Sequence, residues 1–576
     1  MVRDAREIPA DAVIRSDICV VGGGAAGITV FLELARRGSD VVLLEGGGTR
    51  RESLSQDTYR GDALTVEPDA GRSGSHHPPL ESTREKKLGG TSSWGGRCAP
   101  LDGIDFEARA HVPESGWPIT RETLVPYYER ANLHVEAGNF EYSSHVALPV
   151  GPSFLVQDGV DPVIDDTKLF RFSPPTNFAK SYRKTLEQSK ARVFYHANVL
   201  RLEPTADGGA ISSAVVSPLP GRELRVRARA FIVAAGGLET TRLLLASGRH
   251  ANAPVGAGYD FVGHCYMTHL EGRIGRVQFG PRPAPVAAYS YELSRDGVYC
   301  RRIMSVTEDM QRNSALRNLG AVIHRPNPKD PSHRDSLLSA YALTKEVLYR
   351  QELGFKSRRY GLQGSIQEPI QVSSHAANVL RDPWSFATFT VDWTRRRWLA
   401  ERKLPSFLRE VKDGVYRVHF DAEQSPSYSN SVTLGDSLDA FGVPRLRVRW
   451  RVSNDDCESI ARSLRMIGDA VERLGLGRAK LPATAEDLIE AIGGGFLAGA
   501  HAMGTTRMGY SPGSSVVDAD CRVHGIGNLY IASSSVFPTS GFAAPTLTIV
   551  ALAVRIADAV KRSISTRPVE AASRAG

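Results

Sequence analysis

Apolar and polar positions alternate along the chain with periods that change from segment to segment. Asp17 to Val21 is a short apolar run that reads as a strand, Ala25 to Arg37 carries apolar residues at helical spacing, and Val41 to Leu44 is a strand ending at Glu45. Further on, Val125 to Ala137 reads as a helix, and Val193 to Leu202 and Leu224 to Val233 read as strands. The second of these runs into AAGGLETTRLLLAS, another strand, glycine turn and helix. From about Tyr259 to Trp450 the period shortens. Ser431 to Leu434 and Arg445 to Trp450 alternate as antiparallel strands do, with irregular polar stretches between them. Ile549 to Lys561 is a patterned helix, and the tail beyond it is expected to be disordered.

Other stretches lack a core pattern. Arg51 to Arg84 is rich in Gly, Ser, Pro and His and reads as an excursion. Lys87 to Pro118 mixes glycine, tryptophan and turn residues, which suits backbone wrapped around a flat ligand. Pro326 to Arg334 reads as a surface loop or lid.

Within the first strand, turn and helix, Gly22, Gly24 and Gly27 form GxGxxG. Gly22 permits a tight turn, Gly24 lets backbone approach a pyrophosphate, and Gly27 lets helix and strand pack closely. The helix N-terminus then offers free N–H groups to the anion, and Glu45 can accept from a ribose hydroxyl. A dinucleotide, FAD or NAD, is therefore expected beside residue 22.

A chain of 576 residues exceeds what one core usually serves, so two domains interleaved in sequence are expected. We place a Rossmann-like dinucleotide domain at 1–258, with a ligand-wrapping excursion at about 51–140. A substrate domain on a mainly antiparallel sheet follows at 259–455, then a return to the first domain at 456–565, and a tail at 566–576. The fold class is α/β, α+β overall. Net charge is +8 and the pI about 9.1, which raises nucleic acid, a membrane surface or an acidic ligand as partners. The basic residues are dispersed, however. The densest run, Arg395 to Arg397 with Arg402 and Lys403 around Trp398, reads as a solvated helix face, so neither nucleic acid nor membrane is expected. The first twenty residues hold no signal-length apolar stretch, and no window offers about 18 uninterrupted apolar residues. A cytoplasmic protein is the expectation. The six cysteines are scattered without a CxxC pair, and no metal site is expected.

Five separated segments then carry a resemblance: Gly22 to Glu45, GGTSSWGG at Gly89 to Gly96, SGWPI at Ser115 to Ile119, AAGGLETTRLL at Ala234 to Leu244, and the block from His501 to Val560. Together, in this order, they resemble the glucose-methanol-choline oxidoreductase family of alcohol-oxidising flavoenzymes. GGTSSWGGRCAPLDGIDFE and PTSGFAAPTLT are most similar to its bacterial pyranose and glycoside oxidase-like branch. The resemblance implies FAD, with its ring between the GGTSSWGG segment and the C-terminal block. It assigns cofactor contacts to Gly22, Gly24, Ala26, Gly27, Glu45, Gly90, Thr91, Ser93, Trp94, Gly95, Gly96, Val199, Ala235, Ser534, Pro545 and Thr546. Some members attach FAD through a histidine in the first of these segments. Thr91 to Trp94 contain none, so noncovalent FAD is expected.

Alcohol oxidation removes a hydride from carbon, taken by flavin N5, and a proton from oxygen, which needs a base. His501 matches the family's catalytic histidine and can be neutral at cellular pH. The family's second residue, His or Asn, corresponds to Ala544, which offers no side-chain hydrogen bond. Gln424 resembles a substrate-contacting position of the sugar-oxidising branch. His264 and His269 lie in a segment that approaches the flavin in the family, and neither is assigned a catalytic role. Pro545 opens the last helix, whose positive end would face the flavin. The implied partners are a sugar, glycoside or aminosugar-containing substrate and an electron acceptor, oxygen or another; oligomeric state stays open. The alternatives are a lyase of the same fold that keeps FAD, and a flavin-binding variant impaired by Ala544.

Overall fold

The glycine turns predicted from sequence sit at the carboxyl ends of two central strands of a mostly parallel sheet. This computed structural model describes residues 1–65, 77–91, 95–149, 161–174, 176–189, 191–280, 285–344, 370–411, 414–492, 497–498 and 501–566. The eight-stranded sheet runs in the order Val2–Asp4, Arg192–Tyr195, Val41–Leu44, Val13–Val21, Arg222–Val233, Ile211–Leu219 and Asn198–Pro204. Leu529–Ile531 pairs with Arg222–Val233 as well. The first five strands are mutually parallel, and the last two are antiparallel additions. Val41–Leu44 is buried at every position, as a strand covered on both faces must be.

Three helices, Ala25–Ala35, Arg121–His134 and Thr546–Thr566, pack together beside this sheet. Charges tie them. Glu33 accepts from Arg130 and from His134 Nε2 at 2.8 Å, and Asp558 pairs with Arg130 at 2.9 Å and Arg37 at 2.6 Å. The middle helix begins at Arg121, four residues before its apolar pattern, because the Thr120 hydroxyl caps it by accepting from Thr123 N. The run 193–202 is two strands, since His196 turns left-handed at φ 54° between them.

The second sheet is seven-stranded and antiparallel throughout. Its order is Gly477–Lys480, Leu270–Phe279, Val415–Ala422, Leu319–His324, Met304–Val306 and Ile164–Asp165, with Leu497–Ala498 also on Leu270–Phe279. The expected return to the first domain at 456 comes later in the chain. The helix Asn454–Arg473 buries Ile460, Leu464 and Ile467 in the second core, and Leu488 joins them. An apolar helical stripe announces burial but not which sheet receives it. The excursion is structured in part: Gly61–Thr65 forms a parallel edge strand on Pro444–Trp450, and Arg97–Cys98 pairs with Leu169–Phe172.

The loop at 326–334 is pinned by the helix Val372–Arg381, where Asn378 Nδ2 donates to Pro331 O at 2.8 Å, and His333 is buried. Arg395–Leu399 is a turn of π-helix with Trp398 exposed. The tail at 567–576 lies outside the described residues. Among the described residues, no helix is long and apolar enough to cross a membrane.

Candidate functional site

A cavity of about 660 Å³ opens where the parallel strands end, between Glu45 and His501. Its floor is the first glycine turn. Gly22 has φ +106°, and a Cβ there would stand 2.4 Å from Ala234 O. A Cβ on Gly27 would stand 1.8 Å from Gly22 O, so the helix can approach the strand only without a side chain. No side chain caps the helices that begin after Gly24 and Gly236, so their first N–H groups stay free toward the cavity that both glycines line. Pro545 and Thr546, at the start of the last helix, line it too. Three helix N-termini thus surround one hollow, an arrangement suited to an anionic ligand.

Glu45 closes the turn. Its Oε2 accepts from Gly23 N at 2.8 Å and its Oε1 from Gly47 N at 2.7 Å, while burial raises its pKa. Each carboxylate oxygen keeps a second acceptor site, so a ribose hydroxyl could still be bound there. Lys86, which sequence reasoning missed, lines the same end, with its Nζ donating to Asn198 Oδ1 at 2.7 Å and Thr58 Oγ1 at 2.9 Å.

Of the residues assigned to the cofactor, Gly22, Gly24, Ala26, Glu45, Gly90, Thr91, Gly95, Val199, Ala235, Ser534, Pro545 and Thr546 line the cavity. Gly27 does not, because it serves the packing of helix on turn. Gly96 does not either; at φ +71° its carbonyl accepts from Ser173 N at 2.8 Å. Ser93 and Trp94 lie outside the described residues. Ala544 is buried immediately before Pro545.

Gln424 requires a correction. It does not line the cavity, and its amide is committed inside the protein. Oε1 accepts from Thr268 N at 3.0 Å and Trp450 Nε1 at 2.9 Å, and Nε2 donates to Arg451 O at 2.8 Å. It braces three strand ends, with Oε1 accepting twice and Nε2 donating once within the protein.

At the other end stands His501, held by a ladder. Thr506 N and Met508 N donate to Ser535 O and Val536 O, each at 2.8 Å, and Ser534 Oγ donates to Ala502 O at 2.8 Å. Arg507 Nη1 anchors the block on Glu114 Oε2 at 2.6 Å. These bonds use Thr506, Arg507 and Met508 of the MGTTRMG run. His501 Nδ1 lies 2.9 Å from Nδ1 of buried His269, with the rings edge to face. Burial above all, then His269 and the Arg97 charge, push the His501 pKa down to about 3. The imidazole is therefore neutral and able to accept a proton. His264 points elsewhere, stacked on Tyr428 with ring centroids 3.8 Å apart.

Arg97 and Glu271 also line the cavity beside His501. Arg97 makes a two-pronged pair with Asp421, at 2.6 and 3.0 Å. Ligand atoms of Glu271, His419 and Asp421 gather within 4.8 Å of one another. Both Asp421 oxygens already accept from Arg97, whose positive charge would oppose a cation there.

Comparison with known proteins bears on the family and the fold. Residues 426–553 match the GMC oxidoreductase family model. A 2-methyl-1,2-propanediol dehydrogenase of Mycolicibacterium austroafricanum is 23% identical, with 96% of each chain covered. The paromamine 6'-oxidase of Streptomyces fradiae is 24% identical over 96% of this chain and 92% of its own. A C-glycoside 3-oxidase of Arthrobacter globiformis is 38% identical, over 20% of this chain and 21% of its own. Among solved structures, the pyridoxine 4-oxidase of Mesorbium loti aligns with TM-score 0.51 at 17% identity, covering 95% of this chain and 99% of its own. A formate oxidase of Aspergillus oryzae aligns with TM-score 0.53 at 19% identity, covering 96% and 99%. The fold is the one these oxidases share.

Proposed function

We propose that this chain, a GMC oxidoreductase in its C-terminal part, is an FAD-dependent enzyme that oxidises a hydroxyl of a sugar, glycoside or aminosugar-containing molecule to a carbonyl. One observation carries the reading: the glycine turn, the start of the C-terminal helix and a neutral, half-buried imidazole line one cavity. The residues fit the cofactor. Gly24 leaves open space where a Cβ would have no protein atom nearer than 3.9 Å, the helix N-termini suit a pyrophosphate, and Glu45 suits a ribose. When bound, FAD supplies the two-electron acceptor that the amino acids lack.

The chain's own residues do the rest. His501 accepts the hydroxyl proton, which a neutral imidazole can do and an imidazolium cannot. The helix starting at Thr546 directs its positive end into the cavity, favouring negative charge there. Arg97 and Glu271 offer a donor and an acceptor to a polyhydroxylated substrate beside the base. Names of relatives acting on a diol, an aminosugar and a glycoside support this substrate class. Ala544 supports a second reading, in which turnover is slow for want of a second polar group.

Anaerobic mixing of the holoprotein with monosaccharides, methyl glycosides and 2-aminosugars tests the proposal. Bleaching of the oxidised flavin band, abolished by His501→Ala, is the expected result. A flavin that no member of the panel reduces, or that the variant lets react at the wild-type rate, overturns it.

A further inference from the structure

We propose that His269 is a positioning residue, which holds His501 in the tautomer with its proton on Nδ1 and so presents an unprotonated Nε2 to the cavity. The inference rests on the reading of His501 as base and adds what makes it one. Met267 and Met503 exchange backbone hydrogen bonds at 3.0 Å in each direction, an antiparallel bridge. Two residues further along one segment and two back along the other, that register sets His269 opposite His501. Their side chains meet there, Nδ1 to Nδ1 at 2.9 Å.

Two acceptors cannot bond, and two donors cannot either, so one nitrogen of the pair carries the proton. The far side of His269 decides which. Its Nε2 lies 3.3 Å from the carbonyl of Ser540, which can only accept, so this nitrogen is the donor. His269 is fully buried, and burial lowers its pKa, so the ring is neutral. Its Nδ1 is therefore a lone pair, and His501 Nδ1 must donate to it. The proton of His501 is thereby placed on the side away from the cavity, and Nε2 keeps its lone pair. Among the described residues the bond to His269 is the only hydrogen bond of His501.

The proton transfer then balances simply. The substrate O–H bond breaks, the proton goes to Nε2, and the new imidazolium still donates from Nδ1 to His269. With Ala544 offering nothing, His269 is a polar side chain the fold sets against the base. The other charged groups around the pair are Arg97, Asp421, Glu423 and, on the cavity wall, Glu271, and none of them bonds to His501 Nδ1.

The test reads the tautomer directly. Histidine ¹⁵N spectra of the holoprotein, with His501→Ala to identify the His501 signals, should show an unprotonated Nε2 and a protonated Nδ1. His269→Asn, whose oxygen can accept in place of Nδ1, should preserve that pattern and keep flavin reduction by the wild-type's best panel sugar within about threefold. His269→Leu should mix the tautomers and slow reduction at least about tenfold. A wild-type His501 protonated on Nε2, or a tautomer unchanged in His269→Leu, overturns the proposal. Neither result depends on turnover, so a failure of His501 as base would show separately, as undiminished reduction in His501→Ala.

Discussion

Arg97 and Asp421 join the two halves of the molecule: the guanidinium, on the segment that wraps the cavity, meets the carboxylate on a central strand of the second sheet at 2.6 and 3.0 Å. The pair also holds Arg97 at the cavity wall, where it borders His501. Arg97 keeps the Asp421 carboxyl far below the usual carboxylate range. Asp421→Ala should therefore cost about 3 kcal/mol, because it strands a largely buried cation. Urea unfolding of both proteins at neutral pH measures this. Because the folded pKa is depressed, the contribution is present above the unfolded value of about 3.9 and is lost as pH falls below it.

The histidine pair adds a second acid sensitivity. His501 titrates at about 3 in the folded protein and at about 6.5 when unfolded. Between those values the unfolded chain binds more protons, so stability falls as pH drops through this window and is complete above about 6.5. His501→Leu should flatten the dependence of unfolding midpoint on pH between 4 and 6.5. An equally steep dependence in the variant would contradict the neutral imidazole.

Gly27→Ala places a methyl group against Gly22 O, where only 1.8 Å is free. The turn must open, and the helix N-terminus moves with it. Purified variant should be colourless or release flavin on gel filtration, with its far-ultraviolet circular dichroism largely retained.

Gln424→Leu separates a brace from a substrate contact. It leaves Trp450 Nε1 and Thr268 N without their acceptor. Each orphaned donor costs about 1 to 3 kcal/mol, so a drop of about 2 to 6 kcal/mol in stability is expected. KM should stay near that of the wild type in whatever folded fraction remains. A selective rise in KM would return Gln424 to substrate binding.

Ala544→Asn would supply the polar group that the resemblance expects. A hydrogen bond worth roughly 0.5 to 3 kcal/mol in the transition state corresponds to roughly 2- to 150-fold in rate. Single-turnover flavin reduction should accelerate within that range, with little change in substrate affinity.

Much of the first domain was legible locally. Gly22, Gly24, Gly27 and Glu45 lie within one strand, turn, helix and strand, where spacing alone fixes what each can do. Their partners were not. Gln424 had the look of a substrate contact until the fold set Trp450 and Thr268 against it. The helix at 454–473 showed an apolar stripe that fits either core, and only packing assigned it to the second.

By itself, then, the sequence determined where a dinucleotide would lie, because glycine geometry and helix termini act over a few residues. It also marked His501, through the run of bonded residues around it. What that imidazole faces was settled only by tertiary structure. His269 is 232 residues away and Asp421 is 324 residues from Arg97, and at such separations the antiparallel bridge for the first pair and the packing of sheet on sheet for the second, not the local pattern, decide which side chains share a proton or a charge.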